Sequence, residues 1–208
     1  MSLLTESQLA AIADGLAGPG WVVLKDVGSP ELRAALRAEI EQLAESARLQ
    51  PAGVGQGNVH QLNTEVRRDN IAWLDASQGA AQAYYLAGVE ALIADLNREL
   101  YLGLRDAEAH FAAYEPGAFY VRHLDRFRTD SARTVSTVYY LNPGWTADDG
   151  GCLEIFDPQM PERRIAEIVP EDGVFVCFLS DRIWHAVAAT RERTRYSIAG
   201  WLRRARQG

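Results

Sequence analysis

Four histidines occur in this chain, His60, His110, His123 and His185, and two of them stand where a metal could be bound. His123-Leu124-Asp125 puts an imidazole and a carboxylate two residues apart. In a strand, residues i and i+2 point the same way, so both side chains can meet one ion. His185 lies on a later β-prone run, after Asp181-Arg182-Ile183-Trp184. Two histidines and one carboxylate on one face of an octahedral ion leave three positions open, which suits an Fe(II) oxygenase. A catalytic zinc site is the competing chemistry, because zinc also accepts imidazole and carboxylate. A lone His-x-Asp is equally an ordinary surface pair, so the second histidine carries the weight. Arg195, in Thr194-Arg195-Tyr196-Ser197-Ile198, separates the two metals. A buried arginine behind the ion can bind a dicarboxylate bidentately. Its plainer reading is one surface cation among Arg191, Arg193, Arg203, Arg204 and Arg206.

Such residues need a scaffold that brings distant strands to one cavity. From residue 108 onward, β-prone runs at 108–114, 119–123, 134–141, 151–156, 164–169, 173–179, 185–189 and 195–202 alternate with turns such as Glu115-Pro116-Gly117, Asn142-Pro143-Gly144 and Asp149-Gly150-Gly151. Many short strands at this spacing predict a barrel or sandwich, in which the strands bearing His123, His185 and Arg195 can converge. The first half is different. Thr5 with Gln8 forms a capping-box pattern, and Gly18-Pro19-Gly20 stops that helix. Trp21–Leu24 reads as a buried strand, and Ser29-Pro30 opens a second helix striped with Leu32, Leu36, Ile40, Leu43 and Ala47. A short strand is expected near Ile71–Leu74, and an amphipathic helix over 80–100. Helices first and strands after predict a mainly β fold with helices packed outside.

The 208 residues fit a single domain, 1–107 supplying helical support, early strands and a loop, and 108–203 the β core. With 21 Lys and Arg against 28 Asp and Glu, the net charge of −7 argues against general nucleic-acid binding. Cys152 and Cys177 could pair but make no disulfide framework, and Cys177, inside Val174–Leu179, reads as a buried thiol. No zinc-type cysteine spacing occurs. The start MSLLTESQLA has no signal-peptide pattern and no apolar run reaches a membrane span, which points to a cytoplasmic protein. Residues 50–58 read as a Gly-rich loop; it is no phosphate cradle, because no Gly-Lys-Ser/Thr follows.

Taken in order, Tyr120-Val121-Arg122-His123-Leu124-Asp125, Val138-Tyr139-Tyr140-Leu141-Asn142, Gly150–Phe156, Ser180–His185 and Thr194–Ile198 resemble the Fe(II)/2-oxoglutarate-dependent prolyl hydroxylases, above all the oxygen-sensing, hypoxia-inducible factor type and its bacterial relatives. The resemblance runs from roughly Trp21 to Trp201, and Arg68–Trp73 is similar to a segment peculiar to that group. It implies a double-stranded β-helix of the jelly-roll kind. It implies Fe(II) at His123, Asp125 and His185, and 2-oxoglutarate on Arg195 beside the Tyr140 hydroxyl. Tyr114, Leu153, Val187 and Trp201 would line that pocket, and Arg68, Asp69 and Arg133 would meet the substrate. By composition alone, Tyr114, Tyr140 and Trp201 would be core aromatics. O2 is the other co-substrate, with ascorbate as an optional reductant. The implied partner is a protein carrying a target proline, a translation factor being one candidate, with no nucleic acid or membrane involved. A free amino acid or other small molecule as substrate, and a non-catalytic metal-binding barrel, are the competing readings. With an acid at 125, hydroxylation rather than halogenation is implied, because a small residue there would vacate a ligand position. Related enzymes close a mobile loop over a peptide at the position of 51–69. Two departures stand out: the stretch from Tyr114 to His123 is slightly shorter, and the one from His185 to Arg195 one residue longer, which makes Arg193 the fallback for Arg195.

Overall fold

The computed structural model describes residues 2–53, 63–126 and 132–205. The first helix, α1 (Glu6–Ala17), is closed at its start by both bonds of the capping box: the Gln8 N–H donates to Thr5 Oγ1 at 3.2 Å, and the Thr5 N–H to Gln8 Oε1 at 3.0 Å. Strand β1 (Trp21–Leu24) follows, then α2 (Pro30–Glu45), whose proline occupies the first helical position while Ser29 Oγ accepts from the Leu32 N–H. Ala47, read as the end of the α2 stripe, lies beyond the helix with φ of 53°. The longest helix, α3 (Ala80–Leu100), buries Tyr85, Val89, Leu92, Ile93 and Leu96. These side chains join Leu16, Leu36 and Ile40 in one apolar cluster that also takes in Phe111, Val135 and Phe175 from the strands, so the helices cover one face of a sheet.

The remaining strands are β2 (Gln50–Pro51), β3 (Asn70–Trp73), β4 (Leu104–Tyr114), β5 (Tyr120–His123), β6 (Arg133–Tyr140), β7 (Leu153–Phe156), β8 (Arg164–Ile168), β9 (Phe175–Leu179), β10 (His185–Val187) and β11 (Arg195–Arg204). They form two antiparallel sheets among the described residues, ordered β1-β9-β6-β11-β4-β3-β2 and β5-β10-β7-β8. From β4 onward the chain swings between the two sheets, the winding of a double-stranded β-helix. A second apolar cluster, with Tyr114, Tyr140, Val176 and Phe178 from the large sheet and Leu153, Ile155 and Val187 from the small one, fills the space between them.

Several boundaries differ from expectation, three of them for identifiable reasons. β4 begins at Leu104 rather than 108, because β11 runs on to Arg204 and pairs down to Leu104. β7 begins at Leu153 rather than 151, because Gly150 and Gly151 take φ of +71° and +67°. Gln50 and Pro51, placed in the Gly-rich loop by sequence, form a two-residue edge strand against Asn70 and Ile71. Cys152 and Cys177 are both buried and unpaired. No helix among the described residues is long and apolar enough to cross a membrane.

A Cβ at Gly150 would stand 2.4 Å from the Ala189 carbonyl oxygen. Gly150→Ala is therefore expected to cost about 3 kcal/mol or more, combining a left-handed backbone with a backbone clash. The check is the denaturant midpoint at constant m-value; an unshifted midpoint would mean that the turn relaxes freely.

Candidate active site

The small sheet sets the two histidines side by side, since His185 at the start of β10 is the register partner of His123 at the end of β5. Asp125 lies two residues past the end of β5, in the bend that follows it. Nδ1 of His123 is bonded to the Val121 carbonyl at 2.7 Å, and Nδ1 of His185 to the Ile183 carbonyl at 3.1 Å. A ring whose Nδ1–H is spent on a carbonyl presents the Nε2 lone pair, the tautomer a metal needs. The Nε2 atoms lie 3.5 Å (His123) and 3.6 Å (His185) from the two oxygens of Asp125. These separations are long for hydrogen bonds and short enough for one ion to bridge. One ligand atom from each of the three residues lies within 4.8 Å of the others.

Burial alone would push the Asp125 carboxyl up, but the neighbouring His185 and His123 hold it well below the usual carboxylate range. Burial, with His123 beside it, lowers His185 to about 4. An anionic Asp125 carboxylate and a neutral His185 imidazole are the states in which these two groups would bind a divalent cation.

Arg195, Tyr114, Leu153, Val187 and Trp201 line the same cavity as the three candidate ligands. Arg195 is only 1% exposed. Its guanidinium lies 4.7 Å from the Tyr114 ring and 4.8 Å from the Tyr140 ring, and Nη1 donates to Ser197 Oγ at 3.3 Å. Among the described residues it forms no ion pair with a carboxylate, and its Nε, the Tyr140 hydroxyl and the Trp201 Nε1 are buried without hydrogen-bond partners. Buried polar atoms of this kind mark a place where a polar ligand completes the bonding. Arg193 points elsewhere, bonded to the Pro143 and Gly144 carbonyls and to Asp149, with Trp145 under its guanidinium.

The residues expected at the substrate are spread out. Asp69 is buried and holds Arg67 bidentately, at 2.7 and 2.5 Å. Arg68 is exposed, its Nε bonded to the Thr64 carbonyl and its guanidinium over Phe119. Arg133 pairs with Glu108 at 2.7 Å and lies 3.6 Å from the centre of the Trp201 ring. Of the segment 51–69, expected as a mobile loop, residues 54–62 fall outside the described residues.

Sequence reasoning passed over several cavity residues, among them Arg67, His110 and Tyr120. His110 had a signal: it lies four residues before Tyr114 on one strand, so both face the same way. Tyr120 had a misleading one, since three residues before His123 it should face the opposite side. A register shift in the β5–β10 pairing, where Tyr120 meets Val187 and His123 meets His185, puts one extra residue in β5 and brings both rings to one face.

His110 is wedged between Trp73 and Trp201, with ring centres at 5.3 and 5.4 Å. Burial lowers it from 6.5 to about 4, so the folded protein carries it neutral. Between those values the unfolded chain binds the extra proton. The stability it contributes is therefore complete above pH 6.5 and is lost as pH falls towards 4. For metal-free protein, His110→Leu should remove on the order of 3 kcal/mol from the acid-side loss of unfolding free energy. Urea titrations at pH 7 and pH 4.5 check this; an unchanged difference between the two would show that His110 is not the source.

Residues 109–203 match the 2OG-Fe(II) oxygenase superfamily. A Pseudomonas putida prolyl-4-hydroxylase superposes with a TM-score of 0.86 at 41% identity, over 94% of this chain and 99% of that one. A Trichoplax adhaerens prolyl hydroxylase, solved with a hypoxia inducible factor oxygen degradation domain peptide, gives 0.83 at 26%, over 95% and 90%. Human Egl nine homolog 1 is 32% identical over 145 residues, 66% of this chain; the match spans only 33% of that longer protein. The chain belongs to the 2OG-Fe(II) oxygenase superfamily, among its prolyl hydroxylases. Fe(II) is the metal cofactor of that family and 2-oxoglutarate and O2 are its co-substrates; the donor set fits the first and the partnerless buried groups around Arg195 the second.

Proposed function

We propose that the chain hydroxylates a prolyl residue in a polypeptide, converting 2-oxoglutarate and O2 to succinate and CO2 as it does so. His123, Asp125 and His185 hold Fe(II); Arg195, with the Tyr140 hydroxyl and the Tyr114 ring beside it, takes the distal carboxylate of 2-oxoglutarate. The observation that carries this reading is a fully buried, carboxylate-free arginine opening onto the cavity of a two-histidine, one-carboxylate cluster. When bound, the metal, co-substrate and O2 supply the oxidant that places one oxygen atom in a C–H bond.

The chain's own residues do the rest. His123 and His185 present Nε2 because Val121 and Ile183 hold their Nδ1 protons. Asp125 supplies the anionic donor and fills the position whose vacancy would admit halide. Arg195 gives a planar fork matched to a carboxylate. Tyr140 stays protonated, since burial raises its hydroxyl, and so can donate. Leu153 and Val187 give the cavity an apolar wall that would limit water around a bound co-substrate. Trp201, with Arg133 on one face and His110 against it, offers a rigid wall for an apolar ring.

A polypeptide substrate is supported by the bound peptide in the Trichoplax adhaerens enzyme. A translation factor is one candidate to test. Succinate release with Fe(II), 2-oxoglutarate and O2 is expected to rise on adding a proline-containing polypeptide and to stay at its blank on adding free proline. The reverse ranking would move the substrate to the small-molecule class.

A further inference from the structure

Beyond the three ligands, the geometry points to Arg67, locked on Asp69, as a positioning residue that sets the His123 imidazole through the ring of Tyr120. This rests on His123 being a metal ligand. Tyr120 stacks on His123 with ring centres 3.7 Å apart and planes 17° from parallel. The guanidinium of Arg67 lies 4.4 Å from the Tyr120 ring centre. Asp69 fixes that guanidinium bidentately, and its carboxylate is fully shielded from solvent. The result is a continuous column: carboxylate, guanidinium, phenol ring, imidazole.

The same strap grips the backbone that aims the imidazole. The Val121 N–H donates to the Val66 carbonyl at 2.9 Å, and the Arg68 N–H to the Phe119 carbonyl at 3.0 Å, while Arg67 and Tyr120 are bridge partners. The Val121 carbonyl is the one that holds Nδ1 of His123. Residues 66–69 thus hold His123 twice, once through Val121, whose carbonyl fixes its tautomer, and once through the ring that fixes its plane. Neither hold touches His185 directly: its Nδ1 depends on Ile183, its ring rests on Phe178 at 4.6 Å, and it meets the column only through the His123 ring, 4.2 Å away. A desolvated cation over a tyrosine face is worth more than an exposed one, and a doubly bonded guanidinium has lost its freedom before the metal arrives. Partners that orient a ligand typically change metal affinity 10–100-fold when removed.

The test uses Co(II) as the metal, read by titration and by its visible ligand-field spectrum, on full-length protein without co-substrate. Arg67→Gln and Tyr120→Leu should each weaken Co(II) binding about 10-fold and alter the spectrum of the saturated site. Tyr120→Phe, which keeps the stack, should restore both. If Arg67→Gln fails to fold by circular dichroism, the Tyr120→Leu and Tyr120→Phe pair decides alone. Wild-type affinity and spectrum in a folded Tyr120→Leu protein would overturn the proposal while leaving the ligand assignment standing. Co(II) binding untouched by His123→Ala would instead overturn the ligand assignment, and the proposal with it.

Discussion

Purified His185→Ala protein is expected to remain folded and to lose turnover by on the order of a thousandfold or more, because without the ion no residue of the cavity can activate O2. Asp125→Ala and His123→Ala should do the same. The fold should survive because the cluster adds little to stability by itself: the Asp125 carboxylate is mostly shielded from solvent, and burial disfavours any proton added to His185. The double-stranded β-helix does not depend on the site, since its two apolar clusters include none of the three proposed ligands. Turnover at the wild-type rate in the His185→Ala protein would remove that residue from the ligand set.

The second large effect falls on the co-substrate. Arg195→Ala should raise the 2-oxoglutarate concentration needed for half-maximal turnover by two to three orders of magnitude. Stripping the partner from a buried carboxylate costs about 3–5 kcal/mol, and each 1.4 kcal/mol is tenfold. Arg193→Ala should shift it by about twofold at most, because its bonds go to the Pro143 and Gly144 carbonyls and to Asp149, away from the cavity. The metal-free and co-substrate-free Arg195→Leu protein should unfold at a higher denaturant concentration than wild type, since it no longer buries a cation lacking a counter-charge. The opposite ranking of the two arginines in the 2-oxoglutarate titration would transfer the role to Arg193.

The sequence carried the site unevenly. His123 and Asp125 were readable as a candidate pair from their i, i+2 spacing, a weak signal alone, and Asp125 in fact lies just past the end of β5. Their meeting with His185 was not readable, because the pairing of β5 with β10 joins segments far apart in the chain and leaves no periodic trace. Motif order along the chain supplied what spacing could not. Among the helices, local chemistry sufficed: the Thr5–Gln8 capping box and the Ser29-Pro30 start both form as their residue types dictate. Boundaries slipped where tertiary pairing overrode local preference, as in β4, which extends through the exposed Arg105 and Asp106 because β11 continues beside it. Tyr120 was hidden by a bulge that breaks strand parity. Arg67 was hidden because its place at the cavity depends on residues 66–68 lying along 119–121, a contact that no feature of either segment announces. Its neighbours Arg68 and Asp69 drew attention instead; one faces solvent and the other lies behind Arg67.

The central claim, that Fe(II) and 2-oxoglutarate at this site drive hydroxylation of a prolyl residue, is tested most directly by mass spectrometry of a proline-containing polypeptide turned over under isotopically labelled O2. The expected result is one labelled oxygen atom on a proline of the polypeptide, formed in step with succinate and absent with the His185→Ala protein. Succinate formed at the full rate while every proline stays unmodified, or labelled oxygen appearing only on free proline, would contradict it.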